Sequence, residues 1–399
     1  MSASLGTTVR NFRDHDQGRA SAWLRMDPLL ALAAVGIMVA SVYTLATATL
    51  DDVPGSPYYY VIRQAVYGGV GLLLMLALAR IDYSRLRDMK IGLYLATIAL
   101  VTVTLVLGTT TRGSKRVIEL PFFEIQTSEI GKVLLILALS AFLIDRVRKL
   151  SDRETTSRIM LLTLVPAMLV IVQPDLGSGL VYVVIGVALL FVAGTKWTHF
   201  AALGGLAAAA VALVLVAAPA VGVEVLKPYQ VDRLTAFVDR SSDPRDEGYQ
   251  LQQSITAIGS GQKIGRGAED ASQTRLDFLP EHHTDFVFSV VGEEFGFVGV
   301  ALVLSLYALL IWRALRILTM AKNLYGALVA GGITAMLMFQ VFVNVGMTIG
   351  IIPITGVTLP LLSYGGSSVI VVFLALGLLQ SIHVQARETA VAKGRESFA

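Results

Sequence analysis

Cysteine is absent from this chain of 399 residues, which excludes a disulfide framework, a thiol nucleophile and a thiolate metal site. Charge is scarce too. Asp, Glu, Lys and Arg make up 15% of the residues, where a soluble domain carries about 25%. A chain that is 55% hydrophobic, with a mean hydropathy of +0.68, cannot cover its surface with polar groups, so its solvent is lipid. The net charge of +3 is small and scattered, and leaves no electrostatic footprint for nucleic acid. Histidine is rare as well. Of five, only His282 and His283 are adjacent, so a histidine-based metal site is not expected.

Long apolar runs are abundant instead. A helix needs roughly 20 residues to cross a bilayer, and candidate runs lie near 29–49, 60–79, 91–108, 130–144, 159–173, 177–194, 199–220, 286–312, 325–350 and 355–382. They predict an all-α polytopic membrane protein of about ten transmembrane helices. Basic residues orient it, because they are retained on the cytoplasmic side. Arg10, Arg13, Arg19 and Arg25 precede the first run, Arg80, Arg85, Arg87 and Lys90 follow the second, and Arg146, Arg148, Lys149, Arg153 and Arg158 follow the fourth. Lys196, then Arg313, Arg316 and Lys322, then Arg387, Lys393 and Arg395 fall on the same side. Both termini are therefore cytoplasmic.

The organisation that follows is a cytoplasmic N-terminal tail (1–28), a single ten-helix membrane domain (29–382) and a cytoplasmic C-terminal tail (383–399). The domain includes a large extracellular loop, 222–285, between helices 7 and 8. That loop holds more acids than bases, and long loops translocate largely regardless of charge. A second outward segment, 109–129, carries Arg112, Lys115 and Arg116. The first helix is expected to open on Asp27-Pro28, a cap followed by a first-turn proline.

The polar residues that survive in this apolar chain gather at outer helix ends. Leu279-Pro280-Glu281-His282-His283-Thr284-Asp285-Phe286 closes the large loop, and Glu293-Glu294 lies just beyond it. A carboxylate held where a loop enters the bilayer is expensive, so Asp285 is a functional candidate. In Gln126-Thr127-Ser128-Glu129-Ile130-Gly131-Lys132, Thr127 or Ser128 can cap the fourth helix. Glu129 suits the positive end of its dipole, and Lys132 lies three residues on, on the same face. A structural ion pair and a functional ammonium both fit.

Asp175, in Gln173-Pro174-Asp175-Leu176-Gly177-Ser178, reads as a cap or a metal ligand. Arg63 and Gln64 read as side chains snorkelling to head groups. Asn344 precedes Pro353-Ile354-Thr355-Gly356, and Pro360 with Gly365-Gly366 suggests a broken helix facing a cavity or close helix packing. The glycine-rich stretch 258–267 lacks the lysine ending and the strand of a phosphate loop, so no nucleotide site is expected.

Taken together, these segments resemble the SEDS family (shape, elongation, division and sporulation) over about residues 25–385. The likeness rests on Gln126-x-Ser128-Glu129-x-x-Lys132, Gln173-Pro174-Asp175-Leu176-Gly177-Ser178, Ala257-Ile258-Gly259-Ser260-Gly261, Leu279-Pro280-Glu281-x-His283-Thr284-Asp285-Phe286, Gly292-Glu293-Glu294-x-Gly296 and Ser363-Tyr364-Gly365-Gly366-Ser367. It implies a ten-helix peptidoglycan glycosyltransferase of the bacterial inner membrane that polymerises lipid II on the outer face. Undecaprenyl diphosphate leaves as a β-1,4 bond forms, and a class B penicillin-binding protein cross-links the product beside other elongation-complex proteins. Thr355, where division members (FtsW-type) usually have lysine, points to the elongation branch (RodA-type). The chain departs from the family pattern at Val117, Thr127, Gln262 and Ala271, all on the outer rim.

Inverting glycosyl transfer needs a base for the acceptor hydroxyl. The resemblance assigns Asp285, and His283 is the rival by its ordinary pKa. Arg116, Lys132 and Arg63 are candidates to stabilise the leaving diphosphate, and Glu129 would hold Lys132 or contact the acceptor. A divalent cation, Mg or Mn, on carboxylates such as Asp175 would serve the same end. Nucleotide, haem and flavin are not expected. The competing readings are a lipid II flippase or other carrier, whose key charges belong near the midplane, and a non-catalytic scaffold.

Overall fold

The computed structural model describes residues 25–50, 52–111, 114–120, 123–150, 152–220, 231, 247–275, 278–279 and 281–396. Helix α1 (Pro28–Ala48) opens as its sequence predicts. Asp27 Oδ1 accepts from the backbone N–H groups of Leu29 and Leu30 at 3.1 Å each, and Pro28 takes the first position, where a missing N–H costs nothing. There follow α2 (Tyr59–Leu78), α3 (Lys90–Leu107), α4 (Thr127–Ile144), α5 (Arg153–Val172), α6 (Leu176–Val192) and α7 (Trp197–Ala212). Two short helices outside the bundle, α8 (Glu247–Ser260) and α9 (Ser272–Arg275), lead to α10 (Val287–Met320), α11 (Leu324–Thr348) and α12 (Gly366–Glu396). Among the described residues nine helices are long and apolar enough to cross a membrane, and α6 is a shorter apolar helix beside them. Each of these ten helices overlaps one of the apolar runs of the sequence.

The centre of the bundle is α4, α11 and α12. α12 packs along α2, α3 along α4, α5 along α6, and α10 along both α1 and α11. Leu135, Leu139, Leu189, Leu328, Ile333, Phe373 and Leu376 meet there with no exposed surface or almost none. Lipid is as apolar as leucine, so what holds helices together is close contact and polar links rather than escape from water. Helix α7 stands apart, with His199 its one buried residue.

Three local expectations are revised. The outward segment after α3 is an antiparallel sheet of β1 (Thr109–Thr111), β2 (Ser114–Leu120) and β3 (Phe123–Gln126), in the order β1-β2-β3. Neither Thr127 nor Ser128 caps α4. The cap position belongs to Gln126, without a side-chain bond, while Thr127 Oγ1 pairs with Thr104 Oγ1 at 2.8 Å and Ser128 turns to Asp175. The last apolar run, expected from 355, becomes helical only at Gly366, and the helix then continues through the predicted tail to Glu396. Glu388 pairs with Arg25 at 3.2 Å on that extension.

Residues 351–365 are the break before α12, with Leu361 in the left-handed region at φ 67°. Backbone freed from a helix inside a membrane must find partners. Here the Tyr307 hydroxyl donates to Pro360 O (2.6 Å), Ser41 to Leu362 O (2.7 Å), and Gln64 Nε2 to Ser363 O (3.1 Å). Gln64 is fully buried, which overturns the snorkelling reading for that residue. Its amide has partners inside the bundle, so it does not seek head groups.

The glycine-rich stretch that is no phosphate loop is a backbone joint. α10 is kinked at Gly296 (φ 61°, ψ −158°), and the irregular turn after α8 lies against the kink. Arg266 N and Gly267 N donate to Glu293 O and Glu294 O (2.9 and 3.0 Å), and Phe297 N and Val298 N donate to Gln262 O and Lys263 O (2.9 and 3.1 Å). A Cβ at Gly296 would sit 2.3 Å from Gly265 N, and one at Gly261 would sit 1.8 Å from Gly292 O. Gly296→Ala combines backbone strain with a clash, and is expected to lower stability by roughly 2–5 kcal/mol in detergent melting. Gly259→Ala, whose added methyl meets nothing within 4 Å, is the control and should melt with the wild type.

Candidate functional site

Four elements converge at one end of the bundle, the end expected to face outward, on a cavity of about 290 Å³. The first is the start of α4. Glu129 and Lys132, one turn apart, form an ion pair with Nζ 2.7 Å from Oε1, and their side chains are 5% and 2% exposed. Both line the cavity. A buried ammonium is costly unless paired, and this one has Glu129 as its carboxylate partner and an open polar cavity in front of it. The predicted one-turn pair is therefore present, and it is a wall of the site.

The second element is α2. Arg63 lies over the Tyr59 ring at 4.2 Å and hydrogen-bonds the Tyr364 hydroxyl. Tyr60 and Tyr67 continue the same wall. Arg63 is half-buried and faces the cavity rather than only the head groups, because aromatic faces hold its guanidinium inward. Half-buried Tyr364 presents its hydroxyl to the Arg63 guanidinium at the cavity wall.

The third element is the turn that enters α10. Glu281 adopts φ 59°; its carbonyl accepts from Thr284 N (3.1 Å) and Phe286 N (3.3 Å), and its carboxylate from Thr284 Oγ1 (2.9 Å). This closes the turn and turns His283, Thr284 and Asp285 towards the cavity they line. Phe286 beneath them is buried in a small cluster with Leu251, Leu279 and Ile354. Glu281 is thus the residue that shapes the turn. His283 stacks on Tyr60 at 4.7 Å and its carbonyl accepts from Tyr364 N at 2.9 Å.

The fourth element is the broken segment before α12, which supplies Gly356, Val357, Thr358 and Tyr364 to the lining. Asn344, buried on α11, donates to Asp285 O (3.0 Å) and to Val357 O (2.8 Å). One side chain therefore fixes the Asp285 backbone against the wall opposite, and a Cβ added at Gly356 would stand 3.6 Å from Asp285 Oδ2. Nothing in the sequence marked Asn344 for this role beyond its being one of two amides, with Gln340, in an apolar helix.

Of the predicted site residues, Asp285, Glu129, Lys132, Arg63 and His283 come together around one cavity. Asp175 stands behind its wall. It caps α6, with Oδ1 accepting from Ser178 N (3.0 Å) and Oδ2 from Ser128 Oγ and Gln126 Nε2 (3.2 Å each), and Gln126 carries its position forward into the lining. The side chain of Arg116 lies outside the described residues. Gln126, Glu124 and Tyr364, none of them candidates from sequence, also line the cavity. Their signal was weak because strand residues and a loop tyrosine look like ordinary rim.

Glu293 and Glu294 have other work. Glu293 accepts from the backbone N–H groups of Gln273 and Thr274 and from the Thr274 hydroxyl at 2.8–3.0 Å. Glu294 accepts from Thr47 at 2.5 Å. They tie the outer segment and α1 to α10.

Residues 24–388 match the family model FTSW_RODA_SPOVE, described as cell cycle protein. A probable peptidoglycan glycosyltransferase FtsW from Thioalkalivibrio sulfidiphilus is 39% identical over 373 residues, covering 90% of this chain and 88% of the relative. Peptidoglycan glycosyltransferase MrdB from Escherichia coli is 35% identical over 362 residues, covering 90% and 94%. Among solved structures, one described as the structural coordination of polymerization and crosslinking by a peptidoglycan synthase complex superposes with a TM-score of 0.78 at 35% identity, over 91% of this chain and 99% of the other.

Proposed function

The chain belongs to the FtsW, RodA and SpoVE family of cell cycle proteins, and from that premise we propose that it is a peptidoglycan glycosyltransferase acting on lipid II at the outer face of the membrane. The observation that carries this reading is the cavity itself. It holds a carboxylate on a closed turn, Asp285, and a buried ammonium, Lys132, in one polar space at helix ends. The carboxylate takes the proton of the acceptor hydroxyl as its oxygen attacks the anomeric carbon of the strand. The bond to the diphosphate breaks, and its electron pair leaves with the phosphate oxygen. Lys132, with Arg63 and the Tyr364 hydroxyl beside it, meets the charge that develops there.

Glu129 holds Lys132 by their ion pair. The lipid-exposed faces of the surrounding helices are apolar enough for a polyprenyl chain. The carrier reading is less well supported, since Lys132 lies in the second turn of α4 and Asp285 precedes α10, both at helix ends rather than mid-span.

A Mg or Mn ion on Asp175 meets a carboxylate already engaged by three donors. No group of three histidine or carboxylate side chains converges among the described lining residues alone, and Asp175 serves as the cap of α6. The elongation role rests on Thr355, and the partner, a class B penicillin-binding protein, on the likeness to a chain of a peptidoglycan synthase complex. The test is polymerisation of purified lipid II by the protein co-purified with that partner. Glycan strands are the expected product; translocated lipid II without polymer would replace this reading with the flippase.

A further inference from the structure

Beside the cavity, and sharing His283 with its lining, lies a second cluster built around Asp52. The loop after α1 brings Asp52 against the turn that carries Asp285. Asp52 Oδ2 lies 3.2 Å from His282 Nε2 and 3.9 Å from His283 Nδ1. The three ligand atoms all fall within 4.8 Å of one another, and none of the side chains is more than 15% exposed. The tautomer of His282 follows from its other nitrogen. Nδ1 is 3.2 Å from Leu279 O, and a carbonyl only accepts, so Nδ1 carries hydrogen. Nε2 then turns its remaining position to a carboxylate oxygen, an arrangement that requires a positive charge between the two atoms: a proton or a metal ion.

We propose that Asp52, His282 and His283 form a binding site for one borderline divalent cation, of the zinc type, at the rim of the cavity. A carbonyl that holds the far nitrogen of a histidine is the usual orienting contact behind a metal ligand. Two imidazoles and one carboxylate suit zinc and its first-row neighbours, with ligands at about 2.0–2.2 Å, better than magnesium, which prefers oxygen alone. The surroundings favour a cation as well. Asp52 and Glu294 line one outer cavity of about 370 Å³, in which Arg275 is the basic residue.

Histidine count argued against such a site because Asp52 is 230 residues away in sequence, and only the fold places it there. Bound metal would pin the loop after α1 to the turn 281–285, and so hold Asp285 in register. The proposal stands without the glycosyltransferase reading, since it needs only the three side chains.

The full-length protein, stripped with chelator in detergent and then equilibrated with zinc or cobalt ions, tests it by metal content, cobalt absorption and melting temperature. About one ion per chain is expected, with a cation-dependent rise in melting temperature. Asp52→Asn and His282→Gln should each weaken binding by at least about tenfold and lose that rise; if the histidine variant does not fold, Asp52→Asn decides alone. Equal metal content and equal melting shifts in wild type and Asp52→Asn would overturn the site and leave an imidazolium–carboxylate pair in its place.

Discussion

Asp285→Ala protein is expected to insert, melt with the wild type and bind its partner, yet make no measurable glycan from lipid II. Stability is spared because the side chain is only half-buried, while the turn is held by Glu281 and the backbone carbonyl by Asn344. Activity is not spared, because a positioned general base is worth about 10²–10⁴-fold, and truncation also removes a negative charge from the cavity that faces Lys132. Asp285→Asn separates these effects from shape: it keeps the volume, loses the basicity and should be as inactive as alanine. Strand length and yield on gels from purified lipid II are the readout. Polymer from either variant at wild-type yield would move the base elsewhere, with His283 next in line on the same turn.

Lys132→Met has the second large effect, on two readouts at once. The substitution strands the Glu129 carboxylate in a site 5% exposed, and breaking a buried pair from one side costs about 3–5 kcal/mol. A marked fall in melting temperature is therefore expected. Glu129→Gln combined with Lys132→Met leaves no stranded charge and should recover much of that loss. Activity separates structure from chemistry. If Lys132 stabilises the leaving diphosphate, the double variant regains stability but stays about 10²–10³-fold slow. A double variant that recovers both would reduce the pair to scaffolding.

Much of this protein was legible from local pattern. The apolar runs, the Asp27 cap and the Glu129–Lys132 spacing each depend on residues close in sequence, and apart from the late start of the last run at Gly366 they stand where the pattern puts them. The five candidates that share the cavity were found because ionisable groups are rare enough in an apolar chain that each one is a signal. The sheet before α4 was not found. Its strands are short, and Lys115-Arg116 followed by Val117-Ile118 breaks the alternation of a half-buried strand, so 114–120 read as a polar loop.

The errors share one cause. Local pattern predicts local partners for Gln64, Thr127 and Ser128, head groups for the first and backbone caps for the others, and each has its partner on a different helix or on the broken segment. Hydrophobic periodicity and charge bias are properties of short windows, so the amino-acid order alone marks the spans and the rare charges at their ends. A hydrogen bond or ion contact inside the bundle depends on which helix faces which at a given depth. That packing alone brings Asn344 to Asp285, Arg63 to Tyr364, and Asp52 to the two histidines.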